Sequence, residues 1–128
     1  MMADDYRPYR AHKGYFATEE AFDRGTPSSI IELPVAWELD DFPHFTFLNK
    51  PMYLGLRTPD EVYELWRQEF DFCHSLGDGV FTLTMHPQVI GRGPRLQMLE
   101  RLIDHMRATP GVVFRTAAEV AVERSNSL

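Results

Sequence analysis

The order of its apolar segments predicts an α/β protein, with about three parallel strands and helices covering them. Three observations carry that expectation. Short apolar runs alternate with helical patterns along the chain. Two helix starts are written out as capping boxes, Thr58-Pro59-Asp60-Glu61 and Thr116-Ala117-Ala118-Glu119. The run from Val80 to Thr84 and on to Met85 mixes Val, Phe, Leu and Met, which reads as a strand buried on both faces of a parallel sheet.

Residues 1–29 show neither period. They are rich in Tyr, Arg, Pro and Asp, end near the turn-like Thr26-Pro27-Ser28-Ser29, and are expected to form an irregular packing segment. The large rings of Tyr6, Tyr9, Tyr15 and Phe16 call for a surface to lie on. Ile30-Ile31-Glu32-Leu33-Pro34-Val35 reads as the first strand, at an edge or ending at Pro34, which has no amide to donate. Trp37-Glu38-Leu39-Asp40-Asp41-Phe42-Pro43 follows, and then a Phe-rich loop is expected to about residue 57.

Thr58 then caps a helix with Pro59 in its first turn and Val62, Leu65, Trp66, Phe70 and Cys73 on one face, ending at Gly77. Val80–Thr84 follows as the second strand. Pro94 opens a helix expected to bury Leu96, Leu99, Ile103 and Met106, and Pro110-Gly111 breaks it. Val112-Val113-Phe114 is the third strand, and the second capping box starts a last short helix with a frayed end from Ser125. A parallel sheet of so few strands leaves backbone groups unpaired on both outer edges. The 128 residues therefore read as one domain that is part of a larger unit.

Composition narrows the partners. With 13 basic against 19 acidic residues, net charge −6, the chain lacks the clustered cations that nucleic acid or an anionic membrane requires. No apolar run is long enough to span a bilayer, and the polar, acidic start is unlike a signal peptide. The single cysteine, Cys73, excludes an intrachain disulfide, fits a reducing, cytoplasmic setting and reads as a small core residue.

The stretch Thr82-Leu83-Thr84-Met85-His86-Pro87 is the strongest functional signal. In α/β proteins, ligands and catalytic side chains collect at the carboxyl ends of strands. His86 sits at such an end, where an imidazole can exchange a proton near neutral pH. The bland alternative is a histidine that bonds a neighbouring backbone group.

Several spaced motifs together resemble the polysaccharide deacetylase family: Asp4-Asp5-Tyr6-Arg7-Pro8-Tyr9; Glu32-Leu33-Pro34-Val35-x-Trp37-x-Leu39-Asp40-Asp41-x-Pro43; Thr84-Met85-His86-Pro87-x-x-x-Gly91-Arg92-x-Pro94-Arg95; and Val112-Val113-Phe114-Arg115-Thr116-x-x-Glu119-Val120-Ala121. The similarity runs over nearly the whole chain and is greatest to the branch holding peptidoglycan-deacetylase-like and allantoinase-like proteins. It implies the C-terminal part of a (β/α) barrel that hydrolyses linear or cyclic amide bonds, with an N-acetylated sugar or small amide as substrate. Typical members hold zinc through one Asp and two His in their N-terminal half, in an Asp-Asp motif and a His-x-x-x-His motif. This chain has neither in that context, so no metal ligand is expected here, any zinc would sit in a missing N-terminal half that decides between zinc and no metal, and the chain alone is expected to be inactive.

The resemblance implies that His86 protonates the leaving amine. Asp40 or Asp41 is expected beside it, since a carboxylate raises an imidazole's pKa and fixes its tautomer. Trp37 and Leu39 are expected in the pocket wall, and Arg92, with Arg95, as a substrate anchor. Each has a plainer reading: Asp40-Asp41 as a turn cap, Trp37 as core, and Arg92 and Arg95 paired with local acids. His12, His44, His74 and His105 show no metal-ligand spacing, and His74 and His105 are read as helix-surface residues. A weaker option joins His12 and His44 to His86 and Asp40 or Asp41 in a new metal site. A different class of function is a non-catalytic relic that self-associates through its open edge or binds carbohydrate on its exposed rings.

Overall fold

The computed structural model describes residues 9–13, 16–17, 22–23, 26–49 and 52–125. Four helices with clear sequence signals organise the rest. α2, Pro59–Ser75, begins as written: Thr58 Oγ1 accepts from the Glu61 amide, and the Thr58 amide donates to Glu61 Oε2 at 2.8 Å. It ends before Gly77, whose φ of +77° a side chain rarely tolerates. α3 is the single turn Pro87–Ile90, and α4 runs Gly93–Ala108 with proline in its first turn. Gly111, at φ +81°, turns the chain beyond it, and the Thr116–Glu119 box starts α5, Ala117–Ser125.

The core lies between α2 and α4. Val62, Trp66, Phe70 and Cys73 recur every three or four residues and face Met98, Leu102 and Met106, while Leu39, Phe45 and Ile90 close one end. The buried stripe of α4 is therefore turned from the one expected. Leu96 is exposed, Leu99 and Ile103 are half-buried, and of the expected set only Met106 is buried. Met98 and Leu102, spaced four apart with Met106, form the face that packs against α2. Two polar contacts flank the apolar seam: His105 Nε2 lies 2.7 Å from Asp71 Oδ1, and Arg101 donates to Asp60 at 2.9 Å. His74, exposed, bonds the Pro110 carbonyl at 3.0 Å. Cys73 is 3% exposed, and burial pushes its thiol up to about 11, in keeping with an inert core residue.

The strands depart from expectation. Among the described residues the ladders are antiparallel pairs: β1, Tyr9–Lys13, with β4, Thr26–Glu32; β2, Phe16–Ala17, with β3, Phe22–Asp23; and β5, Phe47–Asn49, with β6, Met52–Leu54. Residues 1–29 are thus not wholly irregular, since β1, β2, β3 and part of β4 lie there. The first strand ends at Glu32, ahead of Pro34, the helical turn α1, Asp41–Phe45, runs into the start of the expected Phe-rich loop, and that loop contains a short hairpin. Val80–Leu83 and Val112–Phe114 have no ladder partner among the described residues, and one isolated parallel bridge, Asp40 to Thr84, stands where three parallel strands were expected. Hairpins close through local turns, whereas parallel strands must recruit partners from distant sequence.

That bridge positions the site. The Thr84 amide donates to the Leu39 carbonyl at 2.9 Å, and the Asp41 amide donates to the Thr84 carbonyl at 3.1 Å. A short 3-10 turn, Trp37–Leu39, delivers the chain to it, and α1 leaves from it. Gly55 lets β6 pass close to α1: its amide donates to the Thr46 carbonyl at 2.9 Å, and any side chain there would strike the Pro43 carbonyl.

Leu102 is fully buried on the α4 side of the core. Leu102→Ala should lower unfolding free energy by about 2–5 kcal/mol in urea titration, the range for emptying a buried leucine site. Thr58→Ala, which removes only one half of a cap, should lower it by about 1 kcal/mol.

Candidate functional site

The Asp40–Thr84 bridge sets Asp40-Asp41 beside the end of the extended segment that carries His86. The two aspartates then divide their work. Asp40 is the N-cap of α1, accepting from the Phe42 amide at 2.8 Å, the turn-capping role open to either residue. Asp41 has no exposed surface and turns its carboxylate to His86. Its Oδ1 lies 2.7 Å from His86 Nδ1, and its two oxygens accept from the His86 amide at 3.1 and 3.0 Å. A buried carboxylate is tolerated only when so paired.

A carboxylate accepts, so Nδ1 donates and Nε2 is the nitrogen that exchanges a proton with a ligand. The hydrogen bond to Asp41 raises the His86 pKa above its ordinary value; partial desolvation works against it, and the charges of Asp41 and Asp40 add to it. Asp40 Oδ1 is 3.7 Å from Nδ1. The Phe42 ring stands 5.5 Å from the imidazole, tilted by 56°.

His86 opens onto a shallow, mostly apolar groove of about 350 Å³ with Trp37, Asp40, Phe42, Pro43 and Leu48 around it. Trp37 is 81% exposed, so it is available to a ligand and is not core. Leu39, expected in the pocket wall, is instead 3% exposed and packs in the core, because the 3-10 turn points Trp37 outward and Leu39 inward. Arg92 is exposed at the N-cap of α4, outside the groove lining. Among the described residues Arg95 pairs with no acid: it donates to the Val89 carbonyl at 2.7 Å and lies over the Phe45 ring at 4.4 Å. Phe42, Pro43 and Leu48 were not expected in the site. The first two adjoin Asp41 in sequence, but Leu48 comes from the hairpin and carries no local signal.

Asp40, Asp41 and His86 bring possible ligand atoms within 4.8 Å of one another. Their bonds favour a different use. Asp40 caps α1, and Nδ1 of His86 is engaged by Asp41, so the trio forms an acid–imidazole dyad with a neighbour. His44, on α1, bonds the Glu38 carbonyl at 2.8 Å, and His12 carries a side chain outside the described residues. The set of one Asp and two His implied by the resemblance is not assembled among the described residues.

No family profile matches the chain. It is 32% identical over 134 residues to the peptidoglycan deacetylase of Helicobacter pylori, covering 94% of this chain and 46% of that protein. A crystal structure from Mycobacterium smegmatis, assigned as a polysaccharide deacetylase, superposes with a TM-score of 0.76 at 30% identity, covering 96% of this chain and 39% of that one. The chain thus spans less than half the length of either relative.

A raised histidine pKa makes the pair's contribution to stability pH-dependent. It is present in full below the unfolded value, about pH 6.5, and is lost as pH rises through the higher folded value. The stability gap between the chain and its His86→Gln variant should therefore be larger at about pH 5.5 than at about pH 8.5 in urea titrations.

Proposed function

On the premise that the chain belongs to the polysaccharide deacetylase family, of whose relatives it spans less than half, we propose that it is the C-terminal part of a barrel hydrolase that cleaves amide bonds. Its substrate is an N-acetylated sugar or a small amide, and residues equivalent to an N-terminal half complete it. The observation that carries this reading is the buried Asp41 carboxylate on His86 Nδ1 at 2.7 Å.

An amine is a poor leaving group, and the tetrahedral intermediate of amide hydrolysis collapses toward products only as the nitrogen gains a proton. Protonated at Nε2, His86 supplies that proton. Asp41 holds the ring in one orientation through Nδ1 and through the His86 backbone amide, and favours the charged form needed before transfer. Trp37, Phe42, Pro43 and Leu48 give an apolar surface for the acyl group or a sugar face.

The zinc implied by the resemblance finds no Asp-His-His set among the described residues. In this reading the activation of water falls to the N-terminal half, as the resemblance implies, and His86 and Asp41 deliver the proton. Residues 1–128 are read as one unit of that barrel, a length that suits one domain and not two. No described helix is long and apolar enough to cross a membrane.

Reconstitution tests the proposal. Mixed or co-expressed with an N-terminal deacetylase segment carrying the Asp-Asp and His-x-x-x-His motifs, the chain should release acetate from N-acetylglucosamine oligomers, and neither piece should do so alone. His86→Ala in the pair should lower kcat by about 10²–10⁴-fold. Undiminished turnover in that variant would sink the assignment of His86. A pair that associates and binds oligomer without turnover would point instead to a non-catalytic carbohydrate-binding module.

A further inference from the structure

Two hydrogen bonds meet on one carbonyl just ahead of the aspartates, and neither involves the dyad. The Trp66 indole Nε1 donates to the Glu38 carbonyl oxygen at 2.8 Å, and His44 Nε2 lies 2.8 Å from the same oxygen. A carbonyl oxygen has two lone pairs and only accepts, so both are engaged and His44 donates from Nε2. The two rings also meet nearly edge to face, with centroids 6.2 Å apart and planes at 72°.

The donors come from different parts of the fold. Trp66 belongs to α2 and is fully buried, so it is anchored in the helix-pair core. His44 belongs to α1, three residues after Asp41. Its bond back to Glu38 closes a ring of chain that contains Asp40 and Asp41. The His44 carbonyl in turn accepts from the Arg57 amide at 2.9 Å, tying the far side of α1 to the lead-in of α2. α1 has only five residues, too few to hold its own direction in water, so these ties set where it points.

We propose that His44, backed by Trp66, is a positioning residue for the proton donor: the clamp on the Glu38 carbonyl fixes the backbone from Leu39 to Asp41, and with it the aim of the Asp41 carboxylate at His86. This deepens the assignment of His86 and rests on it. The clamp acts at one remove and touches no reacting atom. Its importance follows from tolerance, since a misplacement of about 1 Å in a supporting element can cost on the order of 10²-fold in rate. It also explains why a partly exposed histidine and a core tryptophan share one acceptor, when the indole N–H alone needed only a single partner.

The experiment is an NMR titration of the His86 ring in the intact chain, which needs no activity. Among the described residues, Asp40 and Asp41 are the charged groups facing that ring, and neither is altered in the clamp variants. His44→Leu should bring the His86 midpoint down by about half a pH unit or more, toward that of an unpaired imidazole. His44→Gln can donate an amide N–H to Glu38 and should restore most of the shift. Trp66→Phe keeps a ring in the core but loses the indole donor, and should move the midpoint in the same direction as His44→Leu; it supplies the second arm if His44→Leu does not fold. A His44→Leu or Trp66→Phe chain that folds and titrates as the parent overturns the clamp. Equal shifts in His44→Leu and His44→Gln overturn it too, since the ring and not its hydrogen bond would then matter. Asp41→Asn separates the two claims. If it fails to lower the midpoint, the dyad assignment itself falls, whereas a lowered midpoint with parent-like clamp variants removes the clamp alone.

Discussion

One buried carboxylate constrains the whole site. Asp41 has no solvent to hydrate it, and a charge in that position is tolerated only with its acceptor sites filled. The backbone amide and ring of His86 fill them. That demand couples two segments more than forty residues apart in sequence, and the parallel bridge through Thr84 holds them at the required separation. A pair of this kind is weak evidence for stability, since removing two charges from water offsets most of their attraction. Its value lies in direction: the imidazole has one orientation, one tautomer and one nitrogen that Asp41 leaves open.

The helical core and the site are parts of one construction. α2 and α4 bury Trp66, Phe70, Met98 and Leu102 for the ordinary apolar gain, yet Trp66 also reaches out of that core to hold the turn before the aspartates. Arg95 does similar work from α4, joining the Val89 carbonyl on α3 to the ring of Phe45 on α1. The turn that carries Asp40 and Asp41 is short and irregular, and its rigidity is borrowed from longer elements beneath it. Mobile supports would leave the dyad formed only part of the time.

What could be read in the sequence was the local part. Capping boxes at Thr58 and Thr116, prolines in first turns and glycines beyond helix ends depend on neighbours a few residues away, and each appears as expected. His86 was singled out because a strand-like run ends on it, and a carboxylate beside it was expected from Asp40 or Asp41. Which of the two faces it was not legible, because that choice depends on the bridge to Thr84. Strand partners were likewise hidden, since pairing is a long-range choice and the run Val80–Leu83 is equally apolar with or without a neighbour. The place of Leu39 is hidden for a related reason: in a 3-10 turn residues two apart point to different sides, so Trp37 faces the groove while Leu39 enters the core. The seam of α4 shows the same limit, as Leu96 and Met98 both fit a helical stripe and only the position of α2 decides between them.

The chain has two tryptophans, and their settings are opposite. Trp66 is sealed in the core with its N–H on a carbonyl, while Trp37 is 81% exposed at the rim of the groove. An indole in an apolar interior emits at shorter wavelength than one in water, and a collisional quencher reaches only the second. The molecule therefore carries two optical reporters at the two ends of one short turn. Blue-edge emission follows the integrity of the support behind the aspartates, and the quenchable red component follows whatever settles into the groove. A sugar ring stacked on Trp37 would shield it from iodide and leave the signal of Trp66 untouched, so occupancy and scaffold can be followed separately in a single spectrum without any added label.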